Sequence, residues 1–254
     1  AETEISAEDV VLIPAFGTTL EIERSLSRSG IDVGSEEYRD RYDTTCPFVS
    51  KVWDRGEELG KAGYTIVIHG KFGHEETQAT HSHTRMHTKT LVVLGVEEAR
   101  KVAGYIEGTV PLADFERIFA DKWSDGFDPK KDLQRVAVVN QTTMLAEETR
   151  EVAGIIRDAL LARFGDGDIE HHFADTSDTL CYATNWNQNA TKGLLESRPD
   201  VAVVVGGYNS SNTSHIVEIC SEVMPSYLVS GAQELLSRER IRHFDVAAQS
   251  LAEN

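Results

Sequence analysis

The chain has 254 residues, 40% hydrophobic and 26% charged, with 42 acidic against 25 basic side chains and a formal net charge of −17. That length allows a sizeable core in one large domain or in two to three small lobes, and ordinary apolar content with only 6 prolines argues against disorder as the dominant state. The acidic balance argues against a nucleic acid or an anionic membrane surface as the main partner, no apolar run approaches the roughly 18 residues of a membrane span, and the polar opening AETEISAEDV has neither signal-peptide nor transit-peptide character.

In chain order, a β-branched run at residues 10–15 (VVLIPA) predicts a first strand. A helix follows over 19–30, closed by Gly30, and another over 47–63, opened by Pro47 and closed by Gly63. Strands are predicted at 64–70 (YTIVIHG) and 90–95 (TLVVLG). Residues 107–133 read as an inserted helix and loop, and a strand at 135–140 (RVAVVN) comes next. Val152, Ile155, Ile156, Leu160 and Leu161 recur at helical spacing within 147–165, which Gly165 closes. The last clear strand is 201–207 (VAVVVGG), and the tail 231–254 carries no further clear strand signal. Alternating helices and nearly continuous apolar strands predict α/β architecture with parallel sheets. The break at 107–133 and a second near 176–182 are the expected lobe boundaries.

Ligands of open α/β sheets bind beyond the carboxyl ends of the strands, so the polar loops there are the candidate site. Asn209, Ser210, Ser211 and Asn212 stand where a helix N-terminus cradles an anion such as a phosphate or diphosphate; plain helix capping is the alternative. His74 and Glu76 end another strand, where a histidine and a carboxylate relay protons or hold a phosphate, with Glu75 read as an ordinary first-turn acid. Gln141, Thr142 and Thr143 can orient a substrate oxygen or cap the next helix. Three cysteines, Cys46, Cys181 and Cys220, form no C-x-x-C pair and make a poor disulfide framework, which points to a reducing compartment. Cys46, directly before Pro47, and Cys181 each stand at a helix entrance, a setting for a metal ligand or nucleophile as well as for a buried small hydrophobe; Cys220 falls inside a helix and reads as core. Five histidines cluster between 69 and 87, and His81, His83 and His87 in an H-x-H-x-x-x-H run offer either a zinc or iron site or a polar loop.

As a set, IPAFG (13–17), DTTCPFVSKVW (43–53), YTIVIHGKFGHEET (64–77), VNQTTML (139–145), DTLCYAT (178–184) and VVVGGYNSSNTSH (203–215) resemble the 4-hydroxy-3-methylbut-2-enyl diphosphate reductase (LytB) family, in family order and in the form of its plant and cyanobacterial branch. The resemblance implies a trefoil of small parallel-sheet α/β lobes around a central iron–sulfur site, here residues 1–45 as a partial first lobe, 46–178 as a second with its insertion near 107–133, and 179–254 as a third. It implies reductive removal of the allylic hydroxyl of 4-hydroxy-3-methylbut-2-enyl diphosphate, giving isopentenyl and dimethylallyl diphosphates in the last step of the non-mevalonate isoprenoid pathway.

By the same resemblance, Cys46 and Cys181 match two of three thiolate ligands of a [4Fe–4S] cluster. Glu76 matches the proton donor, His74 the substrate-side histidine, and Thr142 the active-site threonine. Ser210, Ser211 and Asn212 match the diphosphate-binding residues, and with His74, Gln141 and Thr142 they make up the expected substrate-binding set. Glu76 is expected to have a raised pKa, since a carboxyl must hold a proton in order to deliver it. The family's Gly-Phe-Cys-x-Gly-Val and Ser-Gly-Ala-Ser motifs have no counterpart in these residues. The implied electron donor is ferredoxin or flavodoxin, and the implied location is the cytoplasm, or the plastid stroma in a plant or alga. Two other functions compete: a cluster-free module that binds a diphosphate, and a mononuclear metal hydrolase built on the 69–87 histidines.

Overall fold

A computed structural model describes residues 5–254, in two compact units. The first contains the described residues up to Thr142 and Glu147–Leu180; the second contains Thr143–Ala146 and Cys181–Asn254.

The first unit runs α1 (Leu20–Arg28), α2 (Glu36–Tyr42), α3 (Pro47–Lys61), β1 (Thr65–His69), α4 (Glu75–Thr84), β2 (Thr90–Val93), α5 (Val96–Glu107), α6 (Leu112–Phe119), α7 (Pro129–Asp132), β3 (Val136–Asn140), α8 (Ala146–Phe164), α9 (Ile169–His172) and β4 (Phe173–Ala174). Its sheet has the order β2-β1-β3-β4 and every pair is parallel. Every residue of β1, β2 and β3 is buried, as a sheet covered on both faces requires. Alternation along the strands divides the core: Val67, Val136 and Val138 face Phe115, Phe119, Ile156 and Leu160, whereas Ile66, Ile68, Ala137 and Val139 face Val52 and Leu59 of α3. A third, separate cluster gathers Ile13, Leu26, Ile31 and Val33.

Three sequence expectations change here. The apolar run 10–15 forms no strand. It makes one parallel bridge, Ile13 to Asp43, with Thr44 N donating to Ile13 O (3.0 Å) and Cys46 N to Ala15 O (2.8 Å); Pro14 within the run has no N–H to extend a ladder. The 107–133 segment lies inside the first unit rather than between lobes, because Phe115 and Phe119 of α6 are fully buried in the larger core. The H-x-H-x-x-x-H run is not a loop: His81 and His83 lie on α4.

The second unit contains α10 (Tyr182–Leu195), β5 (Ala202–Val205), α11 (Ser211–Ser221), β6 (Ser226–Val229), β7 (Arg242–Asp245) and β8 (Ser250–Glu253). Its sheet, β5-β6-β7-β8, is mixed: β5 and β6 are parallel, and β7 and β8 add antiparallel. The tail expected to lack a strand therefore closes on a hairpin, and the all-parallel expectation holds only for the first unit. Its strands read RHFD and SLAE, too short and polar to show alternation; their register sets Arg242 against Glu253, with Nε 3.3 Å from Oε1. No helix among the described residues is long and apolar enough to cross a membrane.

Candidate functional site

In the first unit, β1 and β3 are parallel neighbours with His69 opposite Asn140, so their following loops emerge side by side at one sheet edge. Gln141 N donates to His69 O (2.8 Å). Its buried amide oxygen accepts from Lys71 N (3.1 Å) and from the Thr77 hydroxyl (3.1 Å). Gly70 is required at this crossing, because a Cβ there would stand 2.9 Å from Gln141 Cβ and 2.7 Å from Thr77 Oγ1.

These contacts fix where α4 starts. His74 is its N-cap, and Nδ1 accepts from Glu76 N (3.2 Å), which leaves the ring proton of the neutral imidazole on Nε2. Glu75 is exposed, as an ordinary first-turn acid should be; Glu76 turns inward and is only 4% exposed. Both Glu76 carboxyl oxygens face Thr142, itself buried at the end of β3. The Thr142 N–H donates to Oε1 and its hydroxyl to Oε2 at 3.0 Å. Burial raises the Glu76 pKa above the ordinary glutamate value, and the two Thr142 donors offset part of that rise. The structure thus brings Glu76, Thr142, His74 and Gln141 to one sheet edge.

The histidine cluster does not converge. Residues two apart on a helix point to different faces. Buried His81 lies with Nδ1 2.9 Å from Thr90 Oγ1. His83 has Nε2 3.1 Å from Thr18 O and stacks on Trp53 at 3.9 Å, and His87 lies 3.6 Å from Glu57. No group of three or more His, Cys, Asp or Glu side chains able to hold a metal ion occurs among the described residues. The mononuclear hydrolase therefore loses its proposed ligands.

Cys46 is the N-cap residue of α3, ahead of Pro47, and its backbone N–H is tied to Ala15 O (2.8 Å). In the second unit, Cys181 has the same place ahead of α10, with the Thr184 hydroxyl 3.5 Å from Sγ. Both are free thiols. Cys220 is buried inside α11, and burial pushes its thiol pKa up, as befits a core residue.

The loop after β5 reaches α11 through Gly206, where a Cβ would come within 2.7 Å of the Thr213 side chain. Ser210 caps α11: its hydroxyl oxygen accepts from Thr213 N (3.3 Å) and from the Thr213 hydroxyl (2.9 Å). Capping is therefore real at Ser210. Ser211 and Asn212 form the first helical turn, where backbone N–H groups and the helix dipole favour an anion. His215, one turn further on, stands in the same motif, but the sequence reading assigned it no role. One signal for it existed: no lysine or arginine occurs between Arg198 and Arg238.

The sequence profile described as LytB protein matches residues 1–248. The 4-hydroxy-3-methylbut-2-enyl diphosphate reductase of Gloeobacter violaceus is 40% identical over 248 residues, which cover 97% of this chain and 57% of the relative. The enzyme of that name from Prochlorococcus marinus subsp. pastoris is 45% identical over 215 residues, covering 85% of this chain and 51% of the relative. The chain spans about half the length of the curated relatives it matches. Among solved structures, the E-1-hydroxy-2-methyl-but-2-enyl-4-diphosphate reductase from Plasmodium falciparum has the same fold, with a TM-score of 0.58 at 20% identity over 87% of this chain and 56% of that one.

Proposed function

The chain belongs to the LytB family, and on that premise we propose that it acts in reductive dehydroxylation of 4-hydroxy-3-methylbut-2-enyl diphosphate to isopentenyl and dimethylallyl diphosphates. The observation that carries this reading is the Glu76–Thr142 pair. Removing a hydroxyl as water needs a proton at the leaving oxygen, and a buried carboxyl with a raised pKa can hold one. Thr142 fixes both carboxyl oxygens, and its hydroxyl, which can accept as well as donate, keeps Glu76 in one orientation in either protonation state. His74, tied through Nδ1 to the first turn of α4, is proposed as the substrate-side histidine. Gln141 is proposed as a substrate-binding residue beside them, and its amide oxygen, bonded by Lys71 N and the Thr77 hydroxyl, sets the loop spacing. Ser211, Asn212 and the first turn of α11 take the diphosphate, with Ser210 holding that turn.

Cys46 and Cys181 are proposed as ligands of a [4Fe–4S] cluster. The donors fit in kind, two free thiols each at a helix entrance, and fall short in number of the three thiolates that the family resemblance implies. When bound, such a cluster supplies the two electrons; ferredoxin or flavodoxin is the proposed source of those electrons. Residues 1–45 are proposed as part of a first lobe; those described fall within the first compact unit, where Ile13, Leu26, Ile31 and Val33 form a small core of their own. Cytoplasmic or stromal residence is proposed on the same footing.

The test is reductant-dependent product formation by the chain after anaerobic loading with iron and sulfide. Glu76→Gln should lower turnover by about 100-fold or more while leaving iron content as in the unsubstituted chain. Undiminished turnover in that variant overturns the assignment. A chain that binds the diphosphate and turns nothing over favours the cluster-free module instead.

A further inference from the structure

His215 lies in the second turn of α11 and is 4% exposed. Its Nδ1 donates to Glu218 Oε2 at 2.7 Å, so the ring is oriented by a carboxylate. Its Nε2 is buried and has no hydrogen-bond partner among the described residues. Three residues earlier, Asn212 Oδ1 is in the same condition. Positions three apart share a helix face, and helical side chains lean toward the N-terminus. Both unpaired atoms therefore belong to the face that rises to the first turn of α11. Buried polar atoms in native proteins are almost always paired, and two orphans on one helix face mark a place where a ligand completes the bonding.

The charge of that ligand follows from what surrounds the turn. The helix end and its N–H groups favour an anion, yet no lysine or arginine occurs between Arg198 and Arg238, in a chain of net charge −17. His215 is the only side chain in that stretch able to bring a positive charge.

We propose that His215 is a diphosphate-binding residue, with Nε2 and one terminal phosphate oxygen sharing a single proton while Asn212 places its amide against the same phosphate. A phosphate group carries its second ionisation near pH 6, so the ligand itself can bring the proton that this bond shares. No covalent bond to phosphorus or carbon changes. The side-chain amide of Asn212 presents its N–H₂ after rotation by half a turn. This inference rests on reading the 209–212 loop as a diphosphate site, and adds to that loop the residue that answers the ligand's charge.

Calorimetric titration of the intact chain with inorganic pyrophosphate tests it. His215→Leu should weaken binding about 10-fold or more, the size of one hydrogen bond to a charged group. His215→Gln, whose amide nitrogen offers a donor at the distal position, should recover most of that loss. Glu218→Ala, at an exposed position that should not disturb folding, should weaken binding several-fold because the ring loses its orienting partner. Unchanged affinity in His215→Leu or in Glu218→Ala overturns the proposal. Equal losses in the Leu and Gln variants also overturn it. If both His215 variants bind as the parent does while Asn212→Ala binds poorly, the loop reading stands and His215 is removed from it; no pyrophosphate binding by the parent chain rejects both.

Discussion

Glu76 binds a proton more tightly in the folded chain than in the unfolded one, because burial disfavours its charge. Its effect on stability has a definite sign: the fold loses stability as pH rises from the ordinary glutamate range through the raised value. Glu76→Gln removes that slope, so chemical denaturation across about pH 4 to 8 should find the variant gaining on the parent as pH rises; a constant difference contradicts this. Thr142→Val keeps the backbone donor and deletes the hydroxyl that bonds Oε2. It should cost about 1–2 kcal/mol and move the Glu76 titration further upward, readable in the same denaturation series. The residue types of this site were legible in the sequence, since His74, Glu76, Gln141 and Thr142 all follow apolar runs. The pairing of Glu76 with Thr142 was not, because it depends on β1 and β3 being parallel neighbours, a fact of topology rather than of local pattern.

Helices were legible where capping and periodicity agreed. α1, α3 and α8 run within a residue or two of the predicted spans, with Gly30, Gly63 and Gly165 at positive φ just past their ends. Strands were legible where the apolar run is nearly continuous: β1, β2 and β3, buried throughout, and β5, whose residues alternate between half-buried and exposed. Run 10–15 misled because it is apolar without a strand partner beyond one bridge, and β6, β7 and β8 were missed because SYLV, RHFD and SLAE lack the unbroken β-branched-rich run that announced TLVV and AVVV. The 81–87 histidines misled in the other direction, since α4 has no apolar periodicity to announce it and its polar residues are buried instead. The inserted segment gives an element-scale prediction. Phe115 of α6 is fully buried against Phe119 and Trp123, so Phe115→Ala should destabilise by about 3–5 kcal/mol in urea denaturation. A loss below about 1 kcal/mol would mean that the segment is an appendage after all.

At the scale of the whole molecule, two buried groups tilt stability in opposite directions. Burial holds His81 at a pKa of about 4, below its ordinary 6.5. The unfolded chain therefore takes up a proton first, and stability falls as pH drops from about 6.5 toward 4, by up to about 3 kcal/mol. His81→Asn, which keeps a polar atom near Thr90 Oγ1, should flatten that acid limb in a pH series of thermal melts; an unaltered limb assigns the acid sensitivity elsewhere. Glu76 acts with the opposite sign from the ordinary glutamate range upward, so the two slopes oppose each other where their pH ranges overlap. The same Glu76 proton is central to the proposed chemistry, and it can be observed without turnover. Infrared titration of the intact chain, read as the difference between the parent and Glu76→Gln, is the most direct measurement. Burial raises two carboxyls, Glu76 and Glu23, so the parent should keep protonated-carboxyl signal above the ordinary glutamate range, and Glu76→Gln should lack the part that belongs to Glu76. If the parent and Glu76→Gln show the same protonated-carboxyl signal above that range, then Glu76 is not the proton reservoir and the proposed chemistry loses its acid.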